Sequence, residues 1–176
     1  MIFTERLILK PYEVSDAAGF YRHLQHNRDY LVDYFASLVQ HLHSEEDVAA
    51  YFKKKAEQWQ ARKGFACGVF LKGTGIIGHV SVRDIDWRVP KGELAYFIFK
   101  EFTGYQYGAE ALAGFRDWCF HEQAFHRLYM KIGVDNLASV KTAERCGFQF
   151  EGLLKSDYRK RNVELVDLQI YGCVKV

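Results

Sequence analysis

One segment, Glu93 to Glu122, constrains the fold more than any other. Leu94, Ala95, Tyr96, Phe97, Ile98 and Phe99 form a short apolar run bounded by Gly92 and Lys100, the pattern of a buried strand. Gly104, Tyr105, Gln106, Tyr107, Gly108 and Ala109 then turn the chain. From Glu110 onward, Ala111, Leu112, Phe115, Trp118 and Cys119 recur at helical spacing, with Arg116 and Asp117 on another face. A glycine turn that opens a helix leaves several backbone N–H groups unpaired at the positive end of the helix dipole. That geometry binds phosphate. A plain strand-to-helix connection is the alternative reading. The Rossmann glycine spacing is absent, and so is the Gly-Lys-Ser/Thr ending of a P-loop.

A chain of 176 residues with 49% hydrophobic residues predicts a single domain over 1–176 with a real core. A net charge of +2 is too balanced for nucleic-acid binding by bulk electrostatics. Cys67, Cys119, Cys146 and Cys173 sit among apolar neighbours without a C-x-x-C pair, which fits reduced, buried thiols in a cytoplasmic protein. Strand-like sequence directly after Met1 argues against a signal peptide, and no apolar run reaches transmembrane length. No metal site is expected. His121 and His126 are one residue too far apart for the H-E-x-x-H motif, and His41 and His43 are no helical ligand pair.

The remaining elements follow from periodicity and punctuation. Phe3 to Lys10 alternates as a first strand ended by Pro11. Ser15 and Asp16 can cap a helix carrying Ala18, Phe20, Tyr21 and Leu24, and a second helical stretch is expected through Tyr30, Leu31, Tyr34 and Phe35. Ser44 with Asp47 reads as a capping box before a helix that stops near Gly64. Phe65–Leu71 and Ile76–Ile85 read as strands joined by a turn at 72–75, with Gly78 marking a bulge or bend. His126–Val134 is the next strand, followed by a helix over Asn136–Cys146 that ends at Gly147 in a left-handed cap. Phe148–Leu154 and Glu164–Tyr171 complete an α+β, or mixed α/β, domain around one twisted sheet.

Several short motifs, in this order and spacing, carry a resemblance over nearly the whole chain. They are Thr4 to Leu9, Ile77-Gly78, Glu93 to Tyr96, Glu110-Ala111, Asp135 to Ser139, Cys146 to Gly152, and Asp167 with Tyr171. Together they resemble the GNAT N-acetyltransferases, in the branch of the ribosomal-protein N-terminal acetyltransferases RimJ and RimL. The resemblance implies the GNAT fold, in which a central strand splays from its neighbour and acetyl-CoA lies in the gap. It implies that the pyrophosphate sits on the amides of Gly104, Tyr105, Gln106, Tyr107, Gly108 and Ala109. It also implies that the pantetheine arm pairs with the strand at Tyr96, Phe97, Ile98 and Phe99. The acetyl group then passes directly to an amine. The loop departs from the family pattern at two positions, where Glu101 and Gln106 stand in place of the usual residues.

Asn136 reads as a helix N-cap, to which the resemblance adds contact with the cofactor arm. Ser139, in the first helical turn, reads as a residue that bonds backbone; by resemblance it protonates the departing thiolate. Proton removal from the amine is assigned by resemblance to Asp157, with Glu93, Tyr158 or a held water as alternatives. Acceptor recognition is expected from the two N-terminal helices and the segment Asp84–Pro90, where an acidic groove would indicate a cationic amine. Tyr30, Tyr34, Phe35 and Trp87 are candidate lining, with core packing as the default for such aromatics. Lys53, Lys54 and Lys55 read as a solvated helix face. The expected activity is acetyl transfer from acetyl-CoA to a primary amine, here a protein N-terminus. A small-molecule acetyltransferase and a non-catalytic acyl-CoA-binding relative are the alternatives, and a homodimer is left open.

Overall fold

The computed structural model describes residues 1–175. Its strands are β1 Ile2–Phe3, β2 Leu7–Pro11, β3 Phe65–Leu71, β4 Gly75–Asp86, β5 Lys91–Ile98, β6 Arg127–Gly133, β7 Gln149–Arg159 and β8 Leu165–Val174. Its helices are α1 Ala17–Leu31, α2 Ala36–His41, α3 Glu45–Gln60, α4 Tyr107–His121 and α5 Leu137–Arg145. The strands form one mixed sheet in the order β1-β2-β3-β4-β5-β6-β8-β7. Every neighbouring pair is antiparallel except β5 and β6.

Strand alternation divides the core between the two faces of the sheet. On one face Phe65, Cys67, Val69, Val80 and Leu94 pack with Leu112 and Phe115 of α4. On the other, Ala66, Ile76 and Phe97 pack with Phe20 and Leu24 of α1 and Phe52 of α3. The capping box of α3 forms with an Asp at its third position. Ser44 Oγ accepts from the Asp47 amide at 3.1 Å, and Asp47 Oδ2 accepts from the Ser44 amide at 3.0 Å. Gly147, at φ +80°, closes α5. Its amide donates to Glu144 O and that of Phe148 to Ala143 O, both at 3.0 Å, the paired bonds of a Schellman cap.

Two N-terminal elements differ from the sequence expectation. The first strand is broken. Thr4 Oγ1 accepts from the Leu7 amide at 3.1 Å, closing a turn that sends β1 back antiparallel along β2. The helix expected around Tyr30 to Phe35 is instead the end of α1 plus a turn, with the second helix at Ala36–His41. The apolar spacing there serves tertiary packing: Phe35 lies edge-on to Phe97 at 4.9 Å, and Tyr34 lies over Gly133. The β7 strand also runs on past Leu154 to Arg159.

Gly78 sits where β4 bulges against β3 between Val69 and Phe70. A Cβ there would stand 2.3 Å from Phe97 O and 3.1 Å from Ile98 Cα, both backbone atoms that have no room to yield. Gly78→Ala is therefore expected to destabilise by about 1–3 kcal/mol, the usual range for overpacking. Urea unfolding should show a lower midpoint at unchanged slope; an unchanged midpoint would show that β5 shifts freely.

Candidate active site

The site begins where β5 and β6 separate. They pair in parallel only from Lys91 with Arg127 to Glu93 with Tyr129, after which β5 stays with β4 and β6 with β8. The Phe99 amide donates to Ile77 O at 2.9 Å. With the β4–β5 register, this bond fixes the alternation: the backbones of Ala95, Phe97 and Phe99 bond to β4, and those of Leu94, Tyr96 and Ile98 face the gap.

On the α4 side, the gap opens into a cavity of about 480 Å³ bordered by Tyr96, Ile98, Gly104, Gly108, Ser139 and Arg145. Among the described residues, the backbone N–H groups of Gly104 through Ala109 donate to no protein acceptor. They end at the N-terminus of α4, a helix of 15 residues. Gly104 has φ +88°, and a Cβ on it would enter empty space. Free amides, a positive helix end and an open, glycine-lined concavity fit an anionic diphosphate.

The two loop departures are accommodated. Glu101 turns away from the amides toward α1, where its carboxylate meets His23 Nδ1 at 2.6 Å and accepts from Asn27 Nδ2 at 3.0 Å. Asn27, fully buried, accepts in turn from the Lys100 amide at 2.7 Å. Burial raises the Glu101 pKa, but the Asn27 amide and the His23 ring outweigh it and hold the carboxylate below its ordinary range. Gln106 takes a left-handed conformation, φ 64°, and its Oε1 accepts from Arg145 Nη1 at 2.9 Å. Arg145 thereby stands beside the amides as a cation that the sequence alone did not single out. Glu110 joins α4 to the first turn by accepting from Thr4 Oγ1 at 2.6 Å and the Arg6 amide at 2.7 Å.

Asn136 caps α5, its Oδ1 accepting from the Ser139 amide at 3.1 Å, and borders the cavity with Ser139. The Tyr96 hydroxyl faces those of Thr142 and Ser139. Burial raises its pKa, and the two hydroxyls offset part of the rise. Phe97 and Ile98 border the same cavity. Phe99 does not: it is fully buried, 5.6 Å from Phe20 and stacked on His23 at 5.0 Å. Tyr105 is exposed and stacks on Tyr107.

A second cavity, of about 290 Å³, lies between the parted strands and holds Glu93, Asp157, Tyr158 and Ser139. Two irregularities aim side chains into it. The β4–β5 register slips between Arg83 and Asp86, with Asp84 at φ 50°. The β7–β8 register slips between Leu154 and Tyr158, with Ser156 at φ 50°. Asp167 builds the second bulge, accepting from the Ser156 amide at 2.8 Å and from Lys155 Nζ at 2.9 Å. Glu93 is buried and accepts from Arg83 Nη2 at 2.6 Å. Asp157 is held more loosely, 3.7 Å from Lys131 Nζ. A third, larger groove of about 1000 Å³ shares Arg83, Asp84, Ala95 and Tyr158 with the second.

Tyr34 and Phe35 border all three cavities, so the spaces meet at the turn after α1. Tyr34 donates to Asp135, which also accepts from Lys160, and its ring stacks on Tyr158 at 5.7 Å. Burial and the Asp135 carboxylate push its phenol up to about 12. Tyr30 borders the first cavity. Trp87 does not enter the site; it donates to Arg62 O and packs on Phe125 at 4.9 Å. No group of three or more His, Cys, Asp or Glu able to hold a metal occurs among the described residues, and none of the described helices is long and apolar enough to cross a membrane.

The acetyltransferase (GNAT) domain model matches residues 6–149. This chain belongs to the GNAT acetyltransferase family. It is an acetyl-CoA-dependent N-acetyltransferase, and the sheet with its parted pair is the GNAT fold. The N-acetyltransferase p20 of Bacillus licheniformis, itself uncharacterised, is 25% identical over 99% of this chain and 96% of its own length. Among solved structures, the microcin self-immunity acetyltransferase MccE, in complex with acetyl-CoA and AMP, superposes with TM-score 0.88 at 23% identity, over 98% of this chain and 94% of its own. A RimL ribosomal-protein α-N-acetyltransferase in complex with coenzyme A gives 0.89 at 19% identity, over 97% and 95%.

The loop geometry predicts the effect of two substitutions. Gly104→Val places a β-branched side chain at positive φ and into the concavity. Calorimetric titration should show coenzyme A binding weakened at least about tenfold, roughly 1.4 kcal/mol, while pantetheine, which lacks the diphosphate, binds as before. Gln106→Gly relieves the left-handed strain but releases Arg145 from the Oε1 bond, and should weaken coenzyme A binding far less than Gly104→Val does. Equal coenzyme A affinity of Gly104→Val and the parent would reduce the loop to a connection.

Proposed function

We propose that this enzyme acetylates the α-amine of a protein N-terminus. One observation carries the reading: the space between the parted strands shares Tyr34 and Phe35 with both the amide-lined cavity and a groove of about 1000 Å³, a volume that a peptide of several residues could occupy. The RimL neighbour, named an α-N-acetyltransferase of a ribosomal protein, supports it. Acetyl-CoA supplies the acetyl group as an activated thioester. In this reading the amides of Gly104 to Ala109 and the Arg145 guanidinium hold the diphosphate. The gap-facing backbone of Tyr96 and Ile98 orders the pantetheine arm beside Phe97 and Asn136.

Two protons must move. An α-amine with a pKa near 8 is largely protonated at neutral pH and must lose a proton before it attacks. Asp157 borders the reacting space and is only loosely tied to Lys131, so it serves as the base. Glu93, fixed by Arg83, keeps that guanidinium in place at the strand fork. Ser139 Oγ, backed by the Tyr96 hydroxyl, donates a proton to the departing sulfur.

Free-thiol release should be measured with acetyl-CoA and either N-terminal peptides or a polyamine. Turnover of the peptides and not the polyamine is expected; the reverse would sink the peptide reading. Ser139→Ala should lower kcat about tenfold to a hundredfold, with KM for acetyl-CoA nearly unchanged, because proton donation to sulfur matters only in the transition state. A raised KM at constant kcat would place Ser139 in binding instead. Asp157→Asn should lose about a hundredfold in kcat/KM at neutral pH. That loss should shrink above about pH 8, where free amine is already abundant; a pH-independent loss would assign the base elsewhere.

A further inference from the structure

The acceptor groove is basic, the opposite of what a polycationic acceptor such as a polyamine would require. Among the described residues its lining carries two carboxylates, Asp47 and Asp84, against the five cations Lys54, Lys55, Lys63, Arg83 and Arg159. Asp47 caps α3, accepting from the amides of His43 at 2.9 Å and Ser44 at 3.0 Å. Asp84 lies 3.9 Å from Arg83, whose guanidinium is also bound to Glu93 at 2.6 Å. Lys54, Lys55, Lys63 and Arg159 line the same groove, and among the described residues none of the four has a carboxylate within 4.0 Å. Glu57, one turn along α3 from Lys54, lies outside the lining.

Lys55 is the most telling of these cations. Its side chain is drawn inward over the Tyr51 ring, 5.1 Å from the centroid, and among the described residues its Nζ bonds only to the neutral Gln58 Oε1, at 3.1 Å. The floor beside it offers no compensating charge. His79 is buried between the Tyr12 hydroxyl and Ser81 Oγ. Burial, with Lys55 and Arg83 nearby, pushes its imidazole down to about 3, so it stays neutral. A half-buried ammonium without an anion carries a desolvation penalty that a bound carboxylate would relieve.

We infer that Lys54, Lys55 and Lys63 form an anion-binding subsite in the acceptor groove, which selects N-terminal peptides bearing acidic side chains in the residues after the acetylated amine. The inference rests on the reading of the acceptor as a peptide amine and adds its charge. The lysines stand on and just beyond α3, along the groove from the reacting space, so they meet residues downstream of the terminal one. The same field repels a polyamine or a basic N-terminal segment.

The test uses three peptides with the same first residue and with Asp, Ala or Lys at positions two to four. Thiol release gives kcat/KM, and fluorescence anisotropy gives peptide affinity in the presence of coenzyme A. The acidic peptide should exceed the neutral one by about tenfold in both, with the basic peptide weakest. The advantage should fall as salt is raised. Lys54→Gln with Lys63→Gln, both exposed positions, should remove most of that advantage while leaving turnover of the neutral peptide unchanged, and Lys55→Gln should remove the rest. Coenzyme A titration verifies that each variant is folded. Equal handling of acidic and neutral peptides, or a preference that survives all three substitutions, overturns the subsite and leaves peptide acetylation standing. Absence of turnover and binding for every peptide overturns both.

Discussion

The structure depends on an interrupted ladder. After Glu93 and Tyr129 the β5 and β6 backbones stop bonding to each other, although both continue as strands on their other sides. Buried amides and carbonyls left unpaired cost on the order of 1–3 kcal/mol each. A fold keeps such a fork only if the flanking pairings are strong enough to hold it open. Here β4 grips β5 up to Gly78, where no Cβ is tolerated, and β8 grips β6 along the whole of Arg127–Gly133.

Tertiary contacts then turn the fork into a passage with two different ends. On the α4 side, Glu101 and Asn27 tie the loop entrance to α1, and Glu110 ties α4 to the first turn. The amides between these anchors are thus presented toward the cavity. On the other side, the bulges at Asp84 and Ser156 turn Arg83 and Asp157 inward, and Tyr34 sits where the spaces meet. One end suits an anionic diphosphate. The other carries its own surplus of positive charge.

Local signals were legible in the sequence. The Ser44 and Asp47 cap, the Gly147 stop, the Gly78 irregularity and the glycine turn before α4 each follow from a few adjacent residues, and the motif order carried the family. Features decided by distant partners were not. Tyr30 to Phe35 has helical apolar spacing, yet the spacing serves Phe97 and Gly133. The Phe3 to Lys10 alternation hides a turn that closes because Thr4 and Arg6 meet Glu110. Phe99 looked like cofactor-facing strand and is core, because α1 covers it. Glu101 departs from the family pattern, and where its carboxylate goes is decided by His23 and Asn27, more than seventy residues away. The three consecutive lysines read as a solvated face, although Lys55 stands four residues after Tyr51 and three before Gln58, the helical spacing at which it meets both.

The central claim is that the parted strand and the glycine loop hold backbone groups free for the cofactor. Hydrogen exchange read by NMR, with and without coenzyme A, addresses it directly. Amides at Tyr96, Ile98 and Gly104 to Ala109 should exchange at least about tenfold more slowly with coenzyme A, while Phe97 and Phe99, already bonded to β4, change little. Uniform slowing along β5, or no slowing in the loop, would contradict the account.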